Sequence, residues 1–166
     1  MVTPISPYGF SKLIGEIYCK EYSDLFNLET VAMRYFNVYG PRQNPQAHYA
    51  GVIAKFTHNM EHNLPLIIFG DGTQTRDYVP VETVVEANIV LGMCNKELVA
   101  NQIFNIATGT SSNIFDLIHM LKEKYPSYNN NIIFKPARPG DVKHVIADCS
   151  KYDILYRYLM NGNNHE

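Results

Sequence analysis

Pro7-Tyr8-Gly9-Phe10-Ser11-Lys12 is the stretch on which the reading of this chain turns. It opens a helix expected over residues 8–26, with apolar positions at Phe10, Leu13, Ile14, Ile17, Leu25 and Phe26 near helical period. Tyr8 and Lys12 are four apart, so a helix stacks their side chains on one face. A tyrosine phenol titrates near pH 10, too high for a base at neutral pH. An ammonium held within about 4–6 Å favours the phenolate, and the pair then forms a general acid/base. A tyrosine and a lysine at this spacing also occur often by chance, so the rest of the chain must decide.

Outward from that helix, residues 29–38 (ETVAMRYFNV) are β-branched and aromatic and read as one buried strand. The run Gly40-Pro41-Arg42-Gln43-Asn44-Pro45 breaks it into a loop. Helical period returns over 50–62, a second strand is expected at 66–69, and Gly70-Asp71-Gly72 makes a turn. A short extended piece at 77–81 leads into a helix at 82–93 and a strand at 102–107. Ser112 or Asn113 is positioned to cap a helix over 114–125. A strand at 132–135 comes next, then an extended piece at 144–147. Strands alternating with helices predict an α/β fold with a parallel sheet.

The 166 residues suffice for one domain with a real core. A net charge of −2 and 18% charged residues give no electrostatic footprint for nucleic acid or an anionic membrane. No apolar run approaches the roughly 20 residues of a membrane-spanning helix. The first residues, MVTPISP, have neither the basic region nor the apolar core of a signal peptide. Cys19, Cys94 and Cys149 are widely spaced and odd in number. The expectation is a cytoplasmic chain with reduced, inert thiols.

Two other features compete for the chemistry. His58-Asn59-Met60-Glu61-His62 matches H-x-x-E-H, in which two histidines one helical turn apart share a zinc. A catalytic zinc needs a third protein ligand and a supporting shell. The sequence offers no such constellation, so the expectation is a polar helix face and no metal. Arg76 lies just beyond the glycine turn, where an arginine can reach a phosphate with two parallel bonds, although a lone arginine more often faces solvent or pairs.

Taken in order, the segments resemble one family closely: the extended short-chain dehydrogenase/reductases, and within them the NAD-dependent nucleotide-sugar epimerases and dehydratases. Residues 7–12 resemble the catalytic helix. Residues 34–43 (RYFNVYGPRQ) are similar to the strand and loop beneath nicotinamide and substrate. Residues 69–79 (FGDGTQTRDYV) are similar to the nucleotide-diphosphate segment, and 104–109 (FNIATG) to the late strand and turn. Arg138-Pro139-Gly140-Asp141-Val142, with Ala147-Asp148-Cys149-Ser150-Lys151, resembles the last substrate loop and the segment after it. Each motif is weak alone; five in order are specific.

The resemblance implies roles. Tyr8 would take the proton from a sugar hydroxyl. Lys12 would hold the nicotinamide ribose and keep Tyr8 acidic. Tyr35 and Phe36 would line the nicotinamide, and Asn37 would donate to the sugar-nucleotide diphosphate. Val52 and Phe69 would flank the base and its ribose. Arg76 and Arg138 would clamp the diphosphate, and Asp141 would accept from a ribose hydroxyl. The nearest resemblance is to UDP-glucose and UDP-N-acetylglucosamine 4-epimerases. These oxidise C4, turn the ketose over and return the hydride to the other face, with NAD regenerated in each cycle. The runner-up is a nucleotide-sugar 4,6-dehydratase.

The departure from the family pattern is large. Members open with a strand, a G-x-x-G-x-x-G turn and a helix that hold the pyrophosphate. These 166 residues contain no such motif, and the serine or threonine that shares the proton with the tyrosine would lie upstream of it. After residue 151 the chain passes through 152–160 into a polar tail, Asn161-Gly162-Asn163-Asn164-His165-Glu166, where the family continues. The expectation is therefore the C-terminal half of a Rossmann-fold epimerase with its small substrate domain. Residues 1–48 and 73–110 would be the Rossmann-side elements, and 49–72 and 111–166 the nucleotide-sugar elements. A split or decayed gene would give such a chain. It is expected to hold no NAD and to be inactive by itself. It would associate through its uncovered Rossmann-side face, with itself or with a separately made N-terminal half. A non-catalytic remnant binding nucleotide sugars weakly is the remaining alternative.

Overall fold

The structure, a computed structural model, describes residues 3–47, 50–138 and 140–162. Its elements run α1 (Pro7–Phe26), β1 (Val31–Tyr35), β2 (Asn37–Tyr39), α2 (Val52–Glu61), β3 (Leu66–Phe69), β4 (Thr75–Arg76), β5 (Tyr78–Pro80), α3 (Val81–Met93), α4 (Lys96–Val99), β6 (Gln102–Ile106), β7 (Ser112–Asn113), α5 (Ile114–Lys124), β8 (Ile132–Lys135) and α6 (Ser150–Met160). The fold is α/β, and among the described residues three of four strand pairs are parallel. Contacts divide the chain into two compact units. One holds Met1–Tyr35, Thr83–Ile106 and Asp148–Glu166; the other holds Phe36–Glu82 and Ala107–Ala147. Among the described residues, 148–162 fall in the first unit, and 36–47 and 73–82 in the second.

In the first unit, α1 starts where Ser6 caps it: its Oγ accepts from the Gly9 N–H at 3.1 Å, and Pro7 occupies the first turn. The helix stops at Asn27, whose φ of 52° is left-handed. β1 then runs parallel to β6 in the register Val31 to Gln102 through Tyr35 to Ile106. Val84, Ala87 and Leu91 of α3, Val99 of α4, Phe104 and Ile106 of β6 and Leu159 of α6 supply the buried apolar side chains. By contrast, α1 buries only Ser23 among its described residues. Polar contacts fasten α1 to β1 and to the turn between them. The Ser23 hydroxyl meets Leu28 O and the Thr30 hydroxyl, which in turn donates to Cys19 O. Arg34 of β1 grips Glu16 with two parallel bonds of 2.6 Å.

The helix α6 (Ser150–Met160) takes in residues 152–160, for which no element is expected above. It lies on β6, with the Tyr152 ring edge-on to Phe104 at 6.5 Å and the Lys151 ammonium over the same ring at 4.7 Å.

In the second unit, α2 and α5 cover the parallel pair β3–β8. Their contacts join Ile53, Phe56, Met60, Leu66, Ile68, Ile114, Leu117, Ile118, Leu121 and Tyr128 into one core. Alternation explains β3: Leu66 and Ile68 are buried and Ile67 is exposed. Asn113 caps α5 with a full capping box, its side chain accepting from Asp116 N while Asp116 returns a bond to Asn113 N. The strand expected over 29–38 is two strands, parted at Phe36, where β1 pairs with β6 and β2 with β5. The piece expected at 144–147 reduces to a single bridge between His144 and Thr75. No helix among the described residues is long and apolar enough to cross a membrane.

Candidate functional site

The first unit presents the acid/base pair. Tyr8 and Lys12 share a face of α1 as their spacing requires; Tyr8 is 61% exposed and the Lys12 ammonium lies 5.2 Å from its ring centroid. At the far end of β1, the Tyr35 hydroxyl donates to Asn88 Oδ1 of α3 at 3.0 Å. Asn88 is itself fixed by donating to Val84 O.

The second unit carries the other expected residues. Phe36 and Asn37 enter β2, and the Asn37 N–H donates to Asp77 O at 3.1 Å. Val52, first residue of α2, packs against the core as a partly buried apolar side chain. Phe69 closes β3 and is succeeded by Gly70 and Gly72, both at positive φ (81° and 79°), a conformation that suits glycine. Gln74 reaches back to donate to Phe69 O at 2.7 Å and closes the turn.

Arg138 and residues 140–145 form a strap against this turn. The Arg138 guanidinium stacks on the Phe69 ring, 3.9 Å from its centroid. Asp141 pairs with Arg76, and Lys143 pairs with Asp71 at 3.0 Å. Backbone bonds from Thr75 N to Lys143 O (2.9 Å) and from Val145 N to Thr75 O (3.2 Å) complete it. The Asp71 carboxylate accepts from the Thr73 hydroxyl and N–H and from Lys143, which together hold it well below the usual carboxylate range. The structure thus brings Phe69, Arg76, Arg138 and Asp141 together and leaves Val52 in a packing position.

Two residues of this site are not evident from the sequence. Asp77 is fully buried, and its carboxylate accepts from Thr108 N, the Thr108 hydroxyl and Gly109 N at 2.8–2.9 Å. A signal is present, since Asp77 stands next to Arg76 and Thr108-Gly109 ends the FNIATG motif. Their pairing across the chain is not visible in either segment. Tyr78 is the second: its hydroxyl is buried with no hydrogen-bond partner among the described residues. Burial pushes that phenol up to about 12, against the opposing effect of the Arg76 charge.

The folded chain therefore keeps the Tyr78 proton to about pH 12, whereas the unfolded chain releases it near pH 10. The stabilisation is complete below pH 10 and is lost as pH rises towards 12. Tyr78→Phe is expected to flatten the alkaline limb of stability over that window. At pH 7 it should cost nothing measurable, because it removes an unpaired buried hydroxyl. Urea midpoints across pH 8–12 test this, and a loss above about 1 kcal/mol at pH 7 would contradict it.

His58 and His62 stand one turn apart on and just after α2, with ring centroids 4.3 Å apart, and His62 Nδ1 lies 2.9 Å from His58 O. Among the described residues no group of three or more metal-ligating side chains gathers around them or elsewhere.

The family resemblance carried by the order of the segments agrees with comparison to known proteins. Residues 1–107 match the NAD dependent epimerase/dehydratase family, and the chain belongs to that family. A putative UDP-glucose 4-epimerase of Methanocaldococcus jannaschii is 39% identical over 93% of this chain and 48% of its own length. The solved UDP-glucose 4-epimerase of Thermotoga maritima, crystallised with UDP-glucose, is 41% identical with a TM-score of 0.84, over 92% of this chain and 47% of that one. The UDP-glucuronic acid 4-epimerase of Bacillus cereus, solved with UDP-glucuronic acid and NAD, is 34% identical with a TM-score of 0.84, over 95% and 48%. The chain spans about half the length of the relatives it matches.

Proposed function

We propose that this chain supplies the acid/base helix and the nucleotide-sugar site of an NAD-dependent UDP-sugar 4-epimerase. The observation that carries the reading is the strap of the second unit. Two guanidinium groups, a carboxylate and an aromatic ring gather at one glycine turn, a chemistry suited to a diphosphate ester bearing a ribose and a flat base.

In this reading Arg138 and Arg76 bind the diphosphate and Asp141 accepts from a ribose hydroxyl. Phe69 and Val52 flank the base and its ribose, and Asn37 donates to the diphosphate. The Tyr78 hydroxyl, short of a partner, is a further donor beside Arg76. On α1, Tyr8 takes and returns the C4 hydroxyl proton, and the Lys12 ammonium stabilises the phenolate. An exposed phenol and ammonium suit the ribose hydroxyls of a nicotinamide nucleotide, and Tyr35 and Phe36 suit its flat ring. NAD, when bound, supplies the hydride acceptor at C4. The glycine turn that cradles its pyrophosphate is not among these 166 residues. The first unit is read as associating, with a second copy or a cofactor-binding partner, through α1. There Phe10, Ile14, Ile17 and Phe26 are each about half exposed or more.

Calorimetric titration of the 166-residue chain tests the reading. UDP and UDP-N-acetylglucosamine should give saturable heat, NAD none, and the chain alone should turn over no UDP-sugar. Binding of NAD would overturn the account of the missing pyrophosphate cradle. Silence towards both uridine ligands would remove the nucleotide-sugar site itself.

A further inference from the structure

The two arginines of the strap stand in different states. Arg76 is mostly buried, its side chain 17% exposed, and it is bonded on both sides. Nη1 donates to Thr75 O at 2.8 Å and to Lys143 O at 3.3 Å, and Nη2 to the Asp141 carboxylate. Arg138, three residues before Asp141 and joined to it by a turn bond from Asp141 N to Arg138 O (3.2 Å), has an open fork. Its guanidinium rests on Phe69, with no carboxylate partner among the described residues.

We propose that Asp141 is an internal counter-ion on Arg76 that a diphosphate displaces, so that the strap is a two-position switch gated by the ligand. The inference rests on the nucleotide-sugar reading above and adds to it an order of events. Arg138, already open, meets the phosphates first. The backbone bonds to Thr75 O and Lys143 O hold the Arg76 guanidinium in place, so only its Asp141 side is exchangeable. A phosphate oxygen takes that side and the Asp141 carboxylate is released. An ionised carboxylate accepts hydrogen bonds and donates none, so it then suits a hydroxyl pair such as a ribose presents. A bare pyrophosphate must break the Arg76–Asp141 pair and gains nothing from the freed carboxylate. A nucleoside diphosphate breaks the same pair and regains it as bonds to ribose. The pair thereby penalises inorganic phosphates and favours nucleotide esters.

Asp141→Asn separates these roles. In calorimetric titrations at one low ionic strength, the variant should bind inorganic pyrophosphate about 3- to 10-fold more tightly than the parent chain. Its preference for UDP over pyrophosphate should fall about tenfold. Asp141→Ser should move both quantities in the same direction, and thermal midpoints within about 2 °C of the parent would show both variants folded. Pyrophosphate affinity that is unchanged or weaker in folded Asp141→Asn overturns the switch. So does failure of every form to bind pyrophosphate. A parent chain that binds pyrophosphate without preferring UDP removes the nucleotide-sugar reading, while the comparison with Asp141→Asn still decides the switch.

Discussion

Asp77→Ala is expected to lower the stability of the chain by about 2–4 kcal/mol, seen as a lower urea midpoint. The carboxylate is fully buried and satisfies three donors on the turn that ends the 104–109 segment. Alanine strands the Thr108 and Gly109 N–H groups, while the Thr108 hydroxyl keeps Thr110 as a partner. Each buried donor left unpaired costs about 1–3 kcal/mol, reduced here because Thr108 itself reaches solvent. Asp77→Asn should lose roughly half as much. Its carbonyl oxygen still accepts from Thr108, but its amide group faces the Gly109 N–H, donor against donor. If both variants melt with the parent, the turn is held by something other than this carboxylate.

Arg138→Ala is the opposite case, large in binding and small in stability. The side chain is exposed, and its stacking on Phe69 contributes about 0.5–1 kcal/mol at such a site. A charge-assisted bond to phosphate is worth about 1.5–3 kcal/mol. UDP affinity should therefore fall roughly 10- to 100-fold with little change in thermal midpoint. Arg138→Lys should lie between, because the charge survives and the planar fork does not. Equal UDP affinity in all three forms would exclude Arg138 from the site.

How far the sequence discloses this structure depends on where partners lie. β3 and β8 are legible to the residue, since each is a short apolar run that ends at a turn or a charged residue, although only β3 buries one side. The helix α1 is legible from its period, but its cap, Ser6, does not stand out, although it directly precedes a helix-starting proline. The break at Phe36 is invisible because 29–38 is uniformly β-forming. A change of pairing partner divides it, and no local pattern records that change. The helix α6, by contrast, is written in the sequence: Tyr152, Leu155, Tyr156 and Leu159 stand at helical spacing and are its half-buried and buried residues, and only the polar run Asn161-Gly162-Asn163-Asn164 beside them draws the segment towards a tail.

For the site, motif order points to Phe69, Arg76, Arg138 and Asp141, which the structure gathers at one turn. It cannot reveal that Asp141 is already bonded to Arg76, because an ion pair between residues so far apart in the chain is a property of the fold. Asp77 and Tyr78 escape notice because burial, which gives them their interest, is not written in residue type.

Val31 finds its partner only at Gln102, and Leu66 only at Ile132. None of the described strands pairs with its immediate successor. During synthesis β1 leaves the ribosome long before β6 exists, and β3 long before β8. The apolar residues of the early segments must wait unpaired while the loops that will be closed are still being added. Each of these pairs closes only once its later strand has been made, by slow, long-range closure. Until then their unpaired edges are open to neighbouring chains, so aggregation competes with folding as concentration rises.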